Sequence, residues 1–456
     1  MTSVGHSRFT MALRTASRVG NLRSALARVT NGANQSFSTS AEKPTDVVFV
    51  GGGIMALNTA YQLKRRSPDM NVTILEQAPG LGNGSSGYST GFLRAFYSFD
   101  QTMQTALDGI DAYKNWEAYT NNDKATMRFT PTGALWMLGY DKCKNDAMKK
   151  RLADHGVQSS VLDESDFKKR FPLFSTEPFP EFTEEGDVIE KDYGEFSALH
   201  EEGPGHVDSN AALDDSLEMC RRAGVNVRFN SKVEKVIVEN EVATGVKMVD
   251  GTSISAGVVV NAAGPWCNKI SGPAGLEFPI TVSPTRIHVG HKWIDGDYLD
   301  MPFVADGWGG SGIYFMPRRN NKQLVFGSVA HRFESEIVDP DDYDTSLDPD
   351  FRQDYLNCLH HRLPDLPVGG EIVGFSHMYS VAEQDVHPII GETKVKNLWV
   401  CNGFSGHGFK LAPAIGSMIA QKLTGLKLDT WDTDVPVEFY DPYRKPLTME
   451  VVTHFA

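Results

Sequence analysis

The stretch Asp46–Glu76, "DVVFVGGGIMALNTAYQLKRRSPDMNVTILE", decides the fold. Val47 to Val50 form a short apolar run closed by glycines, as a strand buried on both faces should be. Gly51 to Gly53 make a turn, and "IMALNTAYQLKRR" follows with helical spacing and a basic last turn. "NVTILE" is a second strand ending on the acid Glu76. Strand, glycine turn, helix, strand and acid in this order spell a dinucleotide-binding unit. Gly51 and Gly53 let the backbone approach a pyrophosphate, which the unpaired N–H groups of the helix start attract. Ala56, small enough for close helix–strand packing, stands where a third glycine usually sits, and Glu76 is placed to accept hydrogen bonds from a ribose.

On the N-terminal side the composition changes sharply. Residues 1–41 hold five arginines (Arg8, Arg14, Arg18, Arg23, Arg28), seven serines and no Asp or Glu. That is the composition of an organelle transit peptide rather than a fold. The expected destination is the mitochondrion, in the matrix, with a plastid as the alternative.

At 456 residues the chain is long enough for about three average domains or two larger ones. Its 41% hydrophobic and 22% charged residues describe a globular protein, and no apolar run approaches the ~18 residues of a spanning helix. A net charge of −14 argues against nucleic acid as a partner. Five scattered cysteines without CxxC spacing point to reduced thiols and no zinc site. The acidic run Asp339–Asp350 lacks calcium-loop spacing and reads as solvated charge. No metal is expected.

After Glu76 comes "QAPGLGNGSSGYSTGFLR", in which Gly84, Ser85, Ser86, Gly87 and Thr90 allow a second close backbone approach and Arg94 follows. An extended flavin dinucleotide needs such a second cradle and a nicotinamide cofactor does not, so FAD is the expected cofactor. "DGWGGSG" reads as bounded by loop residues, which argues against a second nucleotide site and an NADPH-fed hydroxylase. Near the C-terminus, "NLWVCNGFSGHGFKLAPAIG" reads as strand, glycine loop and a helix from about Pro413, since proline suits a first turn.

These motifs, with "SKVEKVIVEN", "VVVNAAGPW" and "DVHPIIGE", resemble the FAD-dependent amino acid and amine oxidoreductases of the D-amino acid oxidase, sarcosine oxidase and dimethylglycine dehydrogenase type, from about Asp46 to Leu426. Within that family "MRFTPTGALWML" and "MPFVADGWGGSGIYF" are most similar to the mitochondrial FAD-dependent oxidoreductase domain-containing protein 1 group. The resemblance implies an α/β fold: a Rossmann-like, discontinuous FAD-binding domain (46–125, 200–270 and 375–430) with a mixed, largely antiparallel substrate domain (126–199 and 271–374). A C-terminal tail (431–456) would follow, with no room for a folate-binding domain. "FTPTGALWML" and "PTRIHVGHKW" read as antiparallel strands of the substrate domain.

The same resemblance implies the site. Cofactor contacts fall on Gly51, Gly53, Ile54, Met55, Ala56, Glu76, Gln77, Ser85, Ser86, Thr90 and Gly91, on Val233, Ala263, Gly264 and Trp266, and on Gly403, Gly406, His407, Gly408, Phe409 and Lys410. The closing glycine loop lies along the isoalloxazine ring, where the helix N-terminus stabilises charge on reduced flavin. Arg94 and Lys410 match the pair that clamps a substrate carboxylate, and Tyr314 and Tyr379 are candidates to line the substrate side. His377 stands where sarcosine oxidases carry the cysteine that bonds flavin; noncovalent FAD is expected, with a histidyl bond as the alternative. Gly91 replaces an arginine beside the flavin, and Val325 the lysine that activates oxygen, unless Lys322 or His331 folds back. This favours a dehydrogenase over an oxidase.

The implied reaction is hydride transfer from a small, N-alkylated amino acid to flavin N5, giving an imine that hydrolyses. No dedicated protein base is expected. The electron acceptor is an electron-transfer flavoprotein or another acceptor. Two alternatives stand beside this reading: an FAD-binding assembly factor for respiratory complexes, against which Lys410 argues, and a D-amino acid or glycine oxidase producing peroxide.

Overall fold

A computed structural model describes residues 45–181, 183, 187–328 and 333–448. The arginine-rich segment 1–41, His331 and the end of the tail lie outside the described residues. The described residues from Thr45 onward belong to one compact unit.

Two large sheets organise it. In the first, Thr45–Val50 runs parallel between Val72–Leu75 and Ser253–Asn261. Val47 to Val50 are buried, which is why this strand is a continuous apolar run. Asn226–Arg228 extends the sheet beside Val72–Leu75, while Val233–Glu239 and Val242–Met248 extend it antiparallel on the other side. Leu398–Asn402 adds to Ser253–Asn261 in parallel, so the closing glycine loop begins at the carboxyl edge of the same sheet.

The helix Ile54–Arg66 packs on the helix Gly408–Thr424 and depends on glycine to do so. A Cβ on Gly416 would stand 2.8 Å from the backbone of Asn58. A third helix, Asp100–Lys114, closes on the other side, where a Cβ on Gly109 would stand 2.1 Å from the Lys410 carbonyl. The terminal helix starts at Gly408, five residues before the proline expected to begin it, and Pro413 lies inside. A proline there removes the N–H that would bond the carbonyl four residues back, at Phe409. That carbonyl accepts instead from the buried Tyr113 hydroxyl at 2.8 Å.

The second sheet runs in the order Ile372–Ala382, Val282–Trp293, Gln323–Ser328, Ile313–Arg318, Phe303–Asp306, Ala134–Met137, Ser197–Glu201 and Ser159–Asp163. Both segments read as strands are strands. Ala134–Met137 is antiparallel to Ser197–Glu201 yet parallel to Phe303–Asp306, so the sheet is mixed. Ile372–Ala382 pairs with Val282–Trp293 along eleven positions, which carries this sheet past residue 375 to Ala382. One face packs on the helix Pro349–Arg362 through Phe351, Tyr355 and Leu359. Beneath it Arg362 bonds Asp306 twice, at 2.7 and 3.2 Å, with both side chains fully buried.

Two surface expectations change. The acidic run after residue 339 is pinned rather than simply solvated: Lys269 bonds Asp339 and Asp341, Trp266 donates to Asp341, and Asp348 pairs with Arg286. The described part of the tail is bound to the body through buried Tyr440, the Arg66–Asp432 pair and Arg444 on Asp385. Among the described residues no helix is long and apolar enough to cross a membrane.

Candidate active site

The glycine turn holds its shape through Glu76. One carboxylate oxygen accepts from Gly52 N at 2.8 Å and the other from Ala78 N at 2.8 Å. Gly51 has φ +101°, and a Cβ there would meet the Ala262 carbonyl at 2.7 Å, so the backbone crosses where no side chain fits. The helix start at Ile54 has no acid in its first turn, and Ile54 N donates to Ser86 Oγ at 3.1 Å. The second cradle therefore lies against the first helix N-terminus.

A cavity of about 270 Å³ opens there. Gly51 to Met55, Glu76, Gln77, Ser85, Ser86 and Thr90 line it, as do Val233, Ala263, Gly264 and Trp266. Gly406, Gly408 and Phe409 close it on the other side. Two helix N-termini, at Ile54 and Gly408, thus meet one cavity, and neither carries an acid in its first turn. Ala56 stays behind the wall, fully buried in helix packing, and Gly403 faces Val282 and Ala382. Gly91 also stands off the wall; its φ is +60° and a Cβ would strike the Val207 carbonyl at 2.3 Å, so no arginine fits there.

A smaller chamber of about 60 Å³ adjoins the cavity and shares Ser89, Thr90, Tyr379, Ser405 and Gly406 with it. Arg94, Lys410, Tyr314 and His407 line it, so two residues 316 positions apart in sequence face one small space. Arg94 is 3% and Lys410 5% exposed. Burial pushes the Lys410 ammonium well below its ordinary range, and the neighbouring Arg94 charge pushes it further. Burial also lowers Arg94, opposed by Tyr97 and Glu201. The Arg94 guanidinium lies 4.1 Å from the Tyr97 ring centre and donates to the Phe96 carbonyl. Glu201, fully buried, accepts from Ala95 N at 2.9 Å and Trp136 Nε1 at 3.1 Å, fixing the backbone beside Arg94.

Tyr379 and Tyr314 hydrogen-bond each other, and burial raises both phenols. Each ring lies over a glycine that gives it room: a Cβ on Gly406 would meet Tyr379 at 2.8 Å, and one on Gly327 would meet Tyr314 at 2.3 Å. His377 lines neither cavity. It stacks on Tyr88 at 3.7 Å between ring centres, and burial lowers it to about 4, so it is neutral. Val325 is buried with Ile287 and Val289 against Tyr379. Lys322 does not fold back; its ammonium bonds Asp295 at 3.3 Å on the surface. The sequence reading missed Ser89, Ser405, Ser328 and Glu334 in the chamber and Glu201 behind Arg94. Nothing in the run "HRFESE" marks Glu334, whose position depends on the packing of Phe333 against Phe351 and Tyr355.

Residues 46–422 match the FAD-dependent oxidoreductase (DAO) family. The chain belongs to that family. FAD-dependent oxidoreductase domain-containing protein 1 of Xenopus laevis is 26% identical over 415 residues, covering 82% of this chain and 78% of that one. The peroxisomal sarcosine oxidase of Homo sapiens is 25% identical over 388 residues, covering 83% and 93%. The crystal structure of L-proline dehydrogenase from P. horikoshii superposes with a TM-score of 0.71 at 24% identity, covering 88% of this chain and 98% of that one. The residues present fit FAD. The glycine turn, the two helix N-termini and the serine-rich second cradle offer backbone N–H groups and close approach along one continuous cavity.

Proposed function

We propose that this chain oxidises the C–N bond of a small, N-alkylated amino acid, yielding an imine that hydrolyses in water. The observation that carries the reading is the pairing of Arg94 and Lys410 on the wall of a 60 Å³ chamber that opens on the cofactor cavity. A guanidinium gives directional bonds to a carboxylate and an ammonium adds a point charge. Bound FAD supplies the two-electron acceptor. Arg94 and Lys410 hold the substrate carboxylate, while Tyr314 and Tyr379 bound the space left for the amine and its substituent. Proximity accounts for much of the rate. The first turn of the helix from Gly408 carries no acid, and its dipole would favour negative charge on a group bound in the cavity beside it.

Sarcosine and dimethylglycine, the small N-methyl amino acids named by the human relatives, are the first substrates to test. Noncovalent FAD is supported by His377, which stacks on Tyr88 away from both cavities. Val325, buried in an apolar cluster, supports a dehydrogenase that passes electrons to an electron-transfer flavoprotein or another acceptor. The acid-free, arginine-rich N-terminus supports import into the mitochondrial matrix.

The experiment is anaerobic bleaching of the flavin by sarcosine, dimethylglycine, proline, pipecolate and D-amino acids, repeated with Lys410→Gln. Bleaching by one amine, lost in the variant and slow to reverse in air, is the expected result. Fast reoxidation with peroxide would make the protein an oxidase. A yellow protein that no amine bleaches would refute the enzymatic reading and leave an FAD-binding scaffold.

A further inference from the structure

The chamber that holds Arg94 and Lys410 also holds a carboxylate. Glu334 lines it with Tyr314, Tyr379, Ser328 and His407, and is 9% exposed. Its backbone is held from behind, since Phe333 packs 5.4 Å from Phe351 and 5.5 Å from Tyr355 on the helix Pro349–Arg362. Tyr314 and Tyr379 come from two strands of the roof, and Glu334 raises both phenols. Tyr355 reaches the chamber wall by donating to Ser328 Oγ. Behind Phe333 lies His288, 3.1 Å from Asp348 and lowered by burial. Among the described residues, the basic side chains on the chamber wall are Arg94 and Lys410, with His407 beside them.

A small space with two cations and one carboxylate on its walls is dipolar. An amino acid at neutral pH is dipolar as well, with its carboxylate suited to the cations and its ammonium to an anion. Resting on the carboxylate reading above, we infer that Glu334 is a catalytic residue that binds the substrate as its zwitterion and takes the ammonium proton. The N–H bond breaks, its electron pair stays on nitrogen, and an O–H bond forms on Glu334. Nitrogen then uses that pair to form the C=N bond as the α-hydrogen leaves with its own pair, FAD being the oxidant. No local motif around Glu334 marks it as a base. The structure places a carboxylate where a protonated amine, which cannot donate a pair, needs one.

The test compares the FAD-loaded wild type with Glu334→Gln, using sarcosine and L-proline as reductants and pyrrole-2-carboxylate, an anion without a basic nitrogen, as a binding probe. The probe's dissociation constant, read from the flavin spectrum, is expected to change less than about twofold. Anaerobic reduction at pH 7 is expected to slow by about 100-fold or more. The variant's rate should then climb about tenfold per pH unit as the neutral amine fraction grows, while the wild type responds far less. Superimposable pH profiles would overturn the inference, and so would loss of the probe in the variant, which would make Glu334 a structural group. If the wild type binds the probe but neither amine bleaches it, the ammonium role falls and the clamp stands. If the wild type does not bind the probe, the carboxylate reading itself falls.

Discussion

Lys410→Met separates what the lysine does for the fold from what it does for the substrate. Lys410 is 5% exposed, and burial and the like charge of Arg94 both act on its ammonium. Both disfavour the charged form, so the native state carries a penalty that the unfolded chain does not. The unfolded chain binds this proton more tightly, so Lys410 makes stability rise with pH through the window between its lowered native value and the ordinary lysine value of about 10.4. Below that window the penalty is constant. Methionine is unbranched, fills similar space and removes the charge, so the variant should be more stable at pH 7 by about 1–3 kcal/mol. For a chain this long that is about 1–3 °C in Tm, and the part of the pH slope that Lys410 contributes should vanish. The cost appears in binding. A hydrogen bond to a charged group is worth about 1.5–3 kcal/mol, or about 10- to 150-fold in Kd for a carboxylate probe. Differential scanning fluorimetry across pH and a titration followed by the flavin spectrum measure both. A variant that melts lower, or binds the probe as tightly as the wild type, would refute the reasoning.

Tyr113→Phe leaves the Phe409 carbonyl without its hydroxyl donor beside Pro413, and should cost about 1–3 kcal/mol in urea unfolding. Arg362→Met strands the buried Asp306 carboxylate and should cost about 3–5 kcal/mol; the double variant with Asp306→Leu should recover most of it. Glu76→Ala removes the acceptor of Gly52 N and Ala78 N, so FAD should bind at least about tenfold more weakly, measured by flavin release on dilution.

The cofactor side was legible from the chain because it is written in short-range patterns. Gly51, Gly53 and Glu76 lie within one strand–helix–strand unit, and the constraint on each acts through the backbone. The terminal helix was misjudged at its start because proline has two outcomes in a first turn. Whether the helix continues through Pro413 depends on a donor for Phe409, and that donor, Tyr113, sits 296 residues earlier. Glu334 and Glu201 carried no local signature at all. One reaches its place through aromatic packing on a distant helix, the other through pairing of Ser197–Glu201 with Ala134–Met137.

The substrate side is set by register, which explains why it is harder to read. Tyr314 stands opposite Gly327 in the roof, and the missing side chain there is what lets the phenol lie across the strand. Tyr379 stands two positions beyond His377 on one strand, so both side chains leave the same face, yet only Tyr379 reaches the chamber. A one-residue slip would turn Tyr379 away and present Met378 or Ser380 instead. Lys410 is fixed from the opposite direction: its carbonyl is the atom against which Gly109 closes, so the helix Asp100–Lys114 sets the depth of the clamp. Gly109→Ala should therefore push Lys410 toward the chamber and weaken the carboxylate probe more than it weakens FAD. Equal loss of both would show that the helix supports the whole site rather than the lysine.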